Sequence, residues 1–249
     1  MKTFILLALF SLPSFASVTV ISDLDDTIKI TDAGNSLNRT WNGIFTEKVF
    51  TGMPEFFSAA RTYSDSLHVV SAGPKILIRA RARDLLDDLN IKYDGLHFRQ
   101  IPGKEGKLEF KVRTILEIMA KNPGEVILLG DDVDLDPEVY VEVVKQFPER
   151  VLAVYIHNVT GRKIPGNFTR YWTSLDLILR ENLAGRADEA GVNSVLSSLL
   201  SEKKLSRIIP KFADCPTSAA VWEWQLTTAF QARALELSQK LNDFCYKGK

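Results

Sequence analysis

The chain has 249 residues, 45% of them hydrophobic and 25% charged, proportions of a globular protein with a sizeable core. That length suits one large domain, or one domain with an appendage. The formal net charge of +0 excludes a general electrostatic pull toward nucleic acid or an anionic membrane, so an anionic ligand must be held by a local arrangement and no nucleic-acid partner is expected.

Met1-Lys2-Thr3 leads into the apolar run Phe4–Leu12 and then Pro13-Ser14-Phe15-Ala16. A charged start, a short apolar segment and small residues at Ser14 and Ala16 predict a signal peptide over residues 1–16, cleaved after Ala16. The run is too short to span a bilayer. No cysteine follows it, so no lipid anchor is expected, and the mature protein reads as periplasmic or secreted. Asn38, Asn158 and Asn167 each open a glycosylation sequon, a pattern short enough to arise by chance.

Val18–Thr27 reads Val-Thr-Val-Ile-Ser-Asp-Leu-Asp-Asp-Thr. A β-branched apolar run of this length predicts a buried central strand of a parallel sheet. It ends abruptly in Asp23, Asp25 and Asp26, where an open α/β sheet places its ligand site. Crowded carboxylates repel one another unless a cation or a shared proton compensates, so they argue for more than an acidic turn.

Lys29–Trp41 is polar and reads as a flap beside that site. Pro54 suits the first turn of a helix through about Tyr63. Leu67–Ser71 is a second strand, ending in the turn Ser71-Ala72-Gly73-Pro74 with an exposed hydroxyl. Lys75–Leu89 follows at helical spacing, then Tyr93–Phe98 as a weaker strand, then an amphipathic helix over Gly106–Lys121 that carries Lys111 near its start. Glu125–Leu129 is a strand delivered into Gly130-Asp131-Asp132-Val133-Asp134-Leu135-Asp136-Pro137. Asp136 and Pro137 look like the N-cap and first turn of a helix to about Phe147. Val151–Ile156 is a fifth strand. Strands alternating with helices at this spacing predict βαβ units in a doubly wound parallel α/β sheet.

Beyond Gly185 the strand patterns stop, and Asp188–Ser201 and Thr217–Phe244 read as helices. The expected organisation is therefore a leader over 1–16, a catalytic domain over 17–184 and a helical C-terminal appendage over 185–249. Cys215 and Cys245 would be oxidisable in an exported protein. Thr217–Asp243 carries no Gly or Pro, however, and as one straight helix it would hold its ends about 40 Å apart, too far for a bridge. No intramolecular disulfide is expected on that reading. His68, His97 and His157 lack paired metal-ligand spacing and read as packing or surface residues.

Three predicted strand ends thus carry polar groups in chain order: Asp23 and Asp25, then Ser71, then Asp131 and Asp136, with Lys111 on an intervening helix. Each alone has a bland alternative, such as a turn hydroxyl, a helix cap or a solvated charge. In this order they resemble the four motifs of the haloacid-dehalogenase superfamily of aspartyl phosphatases. The match reads Asp23-Leu24-Asp25-Asp26-Thr27, Ser71, Lys111, and Gly130-Asp131 followed by Asp136. Ile21–Lys29, Asp136-Pro137-Glu138-Val139-Tyr140 and Val154–Thr160 extend the likeness to the catalytic domain of actin-patch-type phosphatidate phosphatases, over roughly Val18–Thr160. The second motif departs: Ser71-Ala72-Gly73-Pro74 stands where that family usually has Ser-Asn-Ser-Pro-Trp. The departure touches the rim of the phosphate site, and hence the substrate more than the chemistry.

The resemblance implies a Mg²⁺-dependent phosphomonoesterase working through an aspartyl-phosphate. Asp23 is the expected nucleophile and Asp25 the general acid and base. Ser71 and Lys111 would hold the phosphoryl oxygens, Lys111 as a point charge. Asp23, the Asp25 backbone carbonyl, Asp131 and Asp136 would face the metal, with Asp26, Thr27 and Asp132 supporting. A receiver-type signalling domain gathers similar groups but lacks an Asp two residues after the phosphorylated one; a non-catalytic Mg²⁺ and phosphate-binding module is the other rival. Lys29–Ser66 and Lys75–Glu109 leave no room for a separate cap domain, so the mouth should be open to a bulky phosphomonoester, phosphatidate among them. Trp222, Leu226, Phe230, Leu237, Leu241 and Phe244 form one stripe in the tail, with Trp224 off it. The stripe either packs on the core or, in part, offers an apolar surface for a lipid chain or peripheral membrane contact. Oligomeric state has no signature here.

Overall fold

The computed structural model describes residues 17–31, 48–100, 105–210, 212, 213, 215 and 228–247. Strand β1 (Val18–Ser22) is buried along its whole length. It lies between β2 (Ser66–Pro74) and β4 (Glu125–Asp131), parallel to both. Outside these lie β3 (Gly95–Arg99) on one flank and β5 (Val151–His157) and β6 (Thr169–Tyr171) on the other. The result is one all-parallel six-stranded sheet in the order β3-β2-β1-β4-β5-β6. The doubly wound α/β architecture expected from the sequence is what the chain adopts.

Alternation along the strands feeds two cores. Val20, Ile127 and Leu129 face helices α1 (Met53–Ala60), α5 (Ser174–Leu183) and α6 (Glu189–Ser201), with Ile78, Ala82 and Leu86 of α2 (Lys75–Asp88) joining them. Ile21, Val126 and Leu128 face α3 (Lys107–Lys121) and α4 (Asp136–Gln146). Side chains such as Phe56 and Ile115 are almost wholly buried, each stabilising the fold by about 2 kcal/mol. The chain steps from β1 outward to β2 and β3, then returns to the other side of β1 as β4. That reversal opens a crevice at the carboxyl ends of β1 and β4, where Asp23 and Asp131 fall.

Several local expectations change. β6 and α5 had no sequence reading. β6 is only three residues long, and α5 begins with a capping box that uses Asp176 rather than Glu or Gln: its carboxylate accepts from the Thr173 amide at 2.8 Å. β2 runs on through Pro74. Asp136 is not the cap of α4: Leu135 takes that position, and Asp136, the first helical residue, turns its carboxylate inward. The disulfide reading also fails, since Cys215 and Cys245 are bonded with Cα atoms 6.1 Å apart. The described helix α7 spans Thr228–Lys247, with Cys245 near its end, so no single straight helix links the two cysteines. Lack of Gly and Pro over 217–243 is permissive of helix but does not enforce it. Phe230, Leu237 and Leu241 are buried in the first core, where Phe244 packs partly, so that part of the stripe is spent on packing. The predicted leader over 1–16, the flap beyond Thr31, the sequon at Asn38, and Trp222, Trp224 and Leu226 lie outside the described residues.

Candidate active site

Asp23 leaves β1 held by a backbone bond from its amide to the Leu129 carbonyl at 2.8 Å, which fixes it beside β4. Asp131 ends β4. Its Oδ1 accepts from the amides of Val133 at 2.7 Å and Asp134 at 3.3 Å, and its Oδ2 lies 3.5 Å from the Thr27 hydroxyl, which donates to it. Asp136 reaches the same point because residue 130 is glycine: a Cβ there would lie 2.7 Å from the Asp136 Cβ and Oδ2. Lys111, early in α3, donates from Nζ to Asp23 Oδ1 at 2.7 Å and to Asp136 Oδ1. All four side chains are buried. Asp23, Asp131 and Asp136 offer carboxylate oxygens within 4.8 Å of one another.

Three carboxylates share one ammonium away from water, an arrangement that is unfavourable without a further cation or a retained proton. Burial pushes the Asp23 carboxyl well above its ordinary range, opposed by Lys111 and reinforced by Asp136 and Asp25. Burial likewise raises Asp131, with Asp136 and Asp23 adding to it. Burial alone would lower Lys111, but Asp136, Asp23 and Asp131 outweigh it and the ammonium is held more tightly than usual. The donor set is all oxygen, which fits Mg²⁺ rather than a soft metal.

Asp25 stands apart from the triad and is among the residues that line the cleft. Its Oδ1 is buried and has no hydrogen-bond partner among the described residues. Burial pushes this carboxyl up to about 6, Lys29 opposing and Asp26 assisting. Ser71 does not carry the exposed turn hydroxyl expected of it: because β2 continues to Pro74, it lies buried within the strand, where its Oγ accepts from the Gly73 amide at 3.2 Å, and the residue borders the cleft.

The supporting residues brace the turn after β1. Asp26 adopts a left-handed φ of 54°, a conformation unfavourable for a residue with a Cβ. Its carboxylate offsets that by accepting from the Thr31 amide at 2.8 Å and hydroxyl at 2.7 Å. The Nδ1 of His157 bonds the Asp26 carbonyl at 2.7 Å, its ring set against Phe50 and stacked on Tyr171. Asp132 accepts from the Val159 and Thr160 amides at 2.9 and 2.7 Å and pairs with Arg170, tying the end of β4 to the loop after β5.

The cleft has a volume of about 300 Å³. Asp23, Asp25, Lys111 and Asp131 stand in its wall, and Pro74, Leu77, Ile78 and Val133 form an apolar side. Sequence reasoning missed Arg99, His157 and the Lys107–Asp134 pair. Arg99, at the end of β3, lines the cleft while donating to the Ala72 and Glu105 carbonyls at 3.2 and 3.1 Å. Its position at a strand's carboxyl end is the signal that would have found it. Lys107 bonds Asp134 at 2.5 Å, both on the cleft wall.

Residues 18–158, more than half of the chain, match the family model described as phosphatidate phosphatase APP1, catalytic domain. An uncharacterised protein of Schizosaccharomyces pombe is 23% identical over 153 residues, which are 57% of this chain and 25% of that protein. The chain thus spans about a quarter of the length of the curated relative it matches. Among solved structures, a phosphoserine phosphatase from T. onnurineus is similar at a TM-score of 0.41 and 12% identity, covering 68% of this chain and 96% of that one.

Proposed function

We propose that this chain, which belongs to the phosphatidate phosphatase APP1 catalytic-domain family, is an exported Mg²⁺-dependent phosphomonoesterase acting through a phosphorylated Asp23. The observation that carries the reading is the convergence of Asp23, Asp131, Asp136 and Lys111 at the switch point of the sheet, with Asp25 in the wall of the same cleft and its buried Oδ1 without a hydrogen bond among the described residues. A cation held by Asp23, Asp131 and Asp136 would neutralise repulsion between carboxylate and phosphate and stabilise the charge that develops in transfer.

The chain's own residues then divide the work. An oxygen of Asp23 attacks phosphorus as the bond to the leaving oxygen breaks. Asp25, protonated, delivers its proton to that oxygen. The Asp25 carboxylate next takes a proton from water, whose oxygen attacks phosphorus and breaks the Asp23 oxygen–phosphorus bond, releasing phosphate. Ser71 and Lys111 hold the phosphoryl oxygens. An acid with its carboxyl at about 6 retains enough proton to donate near neutrality and enough carboxylate to act as base afterward.

The substrate we assign is phosphatidate or a similarly bulky phosphomonoester. The apolar side of the cleft supports it, and a cleft of about 300 Å³ suits a phosphorylated headgroup but not two acyl chains. Export is supported by the Cys215–Cys245 bond, since such bonds persist in oxidising compartments.

Mg²⁺ should raise the melting temperature, because it binds the folded carboxylate triad and not the unfolded chain. At a hundredfold excess over its dissociation constant the gain is about 2.7 kcal/mol, several degrees for a chain of this size. Asp131→Asn should blunt the shift. A midpoint that does not move across a Mg²⁺ titration would count against the metal site.

Asp25→Asn should slow alkyl phosphates far more than aryl phosphates, whose leaving groups need little protonation. It should also stabilise the metal-free chain. The folded carboxyl at about 6 lies above its unfolded value of 3.8, so the folded state binds the extra proton and this group's contribution to stability falls as pH rises from about 4 to 6. In EDTA at pH 8 the variant should therefore gain about 3 kcal/mol over wild type, a gain that is lost as the pH falls below about 4. Melting curves across that range check it; equal stability at pH 8 would mean Asp25 is solvated.

A further inference from the structure

Helix α2 opens on the rim of the cleft, and while Ile78 and Ala82 pack inward, Ile76 and Leu77 in its first turn are exposed. Ile76 is 86% exposed and Leu77 52% exposed, the former the most exposed large apolar side chain among the described residues. Leu77 also forms part of the cleft wall, so the exposed apolar tip is continuous with the site. Around it the first two turns carry Lys75, Arg79 and Arg81, all exposed, and no acidic residue; the first acid, Asp84, is paired with Arg83 at 3.2 Å. In a chain of formal net charge +0, that is a strong local concentration of positive charge around an apolar tip.

We propose that the first two turns of α2 are the docking face for an anionic phospholipid bilayer, seating the cleft mouth at the membrane surface. The proposal rests on the lipid-phosphate reading above and adds where and how the lipid is met. A cleft that accommodates a headgroup leaves the acyl chains outside it, and they are best left in the bilayer. An apolar tip ringed by basic residues is the pattern of a peripheral interfacial helix: the apolar side chains enter the boundary region and the cations meet anionic headgroups. No helix among the described residues is long and apolar enough to cross a membrane, so this contact is a surface one. The buried part of the C-terminal stripe, Phe230, Leu237 and Leu241, is not available for that contact.

The test is co-sedimentation of the full chain with phosphatidylcholine vesicles, with and without added phosphatidylserine, alongside hydrolysis of a soluble aryl phosphate. Wild type should bind the anionic vesicles and bind neutral ones weakly. Ile76→Asp should weaken binding about tenfold or more through loss of apolar burial, and Arg79→Glu by about fivefold or more through loss of attraction. Ile76→Asp places an acid in the first turn of a helix, where the dipole favours it, so folding should be intact. Leu235→Asp, at an exposed apolar position of α7, should bind like wild type. All three variants should keep soluble-ester hydrolysis. Absence of vesicle binding by wild type, or binding unaffected by Ile76→Asp and Arg79→Glu, would overturn the docking face. Failure of the phosphatase reading would be seen separately, as wild type that does not hydrolyse the soluble ester.

Discussion

Asp23→Asn is expected to lower turnover by about a thousandfold or more, with aryl and alkyl phosphates affected alike. An amide keeps the shape of the carboxylate but not its nucleophilic oxygen, so no phosphorylated intermediate can form. The two central carboxylates are thereby separated: losing Asp25 is partly forgiven by a good leaving group, whereas losing Asp23 is not. Steady-state rates on both ester types check this. If Asp23→Asn retained wild-type rates, attack by this residue would be ruled out, whatever else the cleft does.

Lys111→Met should strongly destabilise the metal-free fold. Among the described residues, Lys111 supplies the ammonium bonded to Asp23 and Asp136, and it too is buried. Removing it leaves buried carboxylates facing one another, at a cost of about 3–5 kcal/mol, or on the order of 10 °C in melting temperature. The sign of the pH dependence follows from the raised carboxyls of Asp23 and Asp131. Their protonated forms are favoured in the folded state, so the deficit should be largest in alkaline buffer and shrink as acid neutralises them. Mg²⁺ should restore part of the lost stability. It should not restore activity, since a donor to the phosphoryl oxygens is gone, and kcat/KM should stay down by about a hundredfold or more. Melting curves in EDTA and in Mg²⁺ at two pH values test both parts; a variant as stable as wild type in alkaline EDTA would show that Lys111 does not neutralise the cluster.

The elements that carry this chemistry were legible because their signals are local. Val18–Ser22 is buried along its whole length and mostly apolar, its two hydroxyls bonded to Ser66 and to the Asp23 carbonyl, so its abrupt end in Asp23 and Asp25 stands out. Ser71, Asp131 and Asp136 stand at or just beyond the ends of the apolar runs that mark β2 and β4, and the chain order of these groups, not any one of them, identifies the motif set. Lys111 was harder: on a helix, a lysine normally marks the solvent side, and only the resemblance pointed it inward. What the sequence hid is long-range. The bond between Cys215 and Cys245 depends on how the intervening chain returns, which composition does not record. His157 supports Asp26 from a residue separation of 131, and Arg99 reaches the cleft only because β3 lies beside β2. β6 and α5 were missed because one is short and the other opens with an unusual acid in its capping box. Ile76 and Leu77 looked like ordinary helix residues; only the fold shows that they face outward at the cleft's edge.

The most direct measurement is the site of phosphorylation. The Asp25→Asn chain is mixed with an aryl phosphate and Mg²⁺, quenched in acid within a turnover, digested, and its peptides weighed. Loss of the general base should slow release of phosphate from the enzyme, so the phosphoryl group should accumulate on Asp23 and on no other carboxylate. Phosphate release by wild type with phosphoryl on a different residue, or with none on Asp23 in wild type or variant at any quench time, would contradict the account.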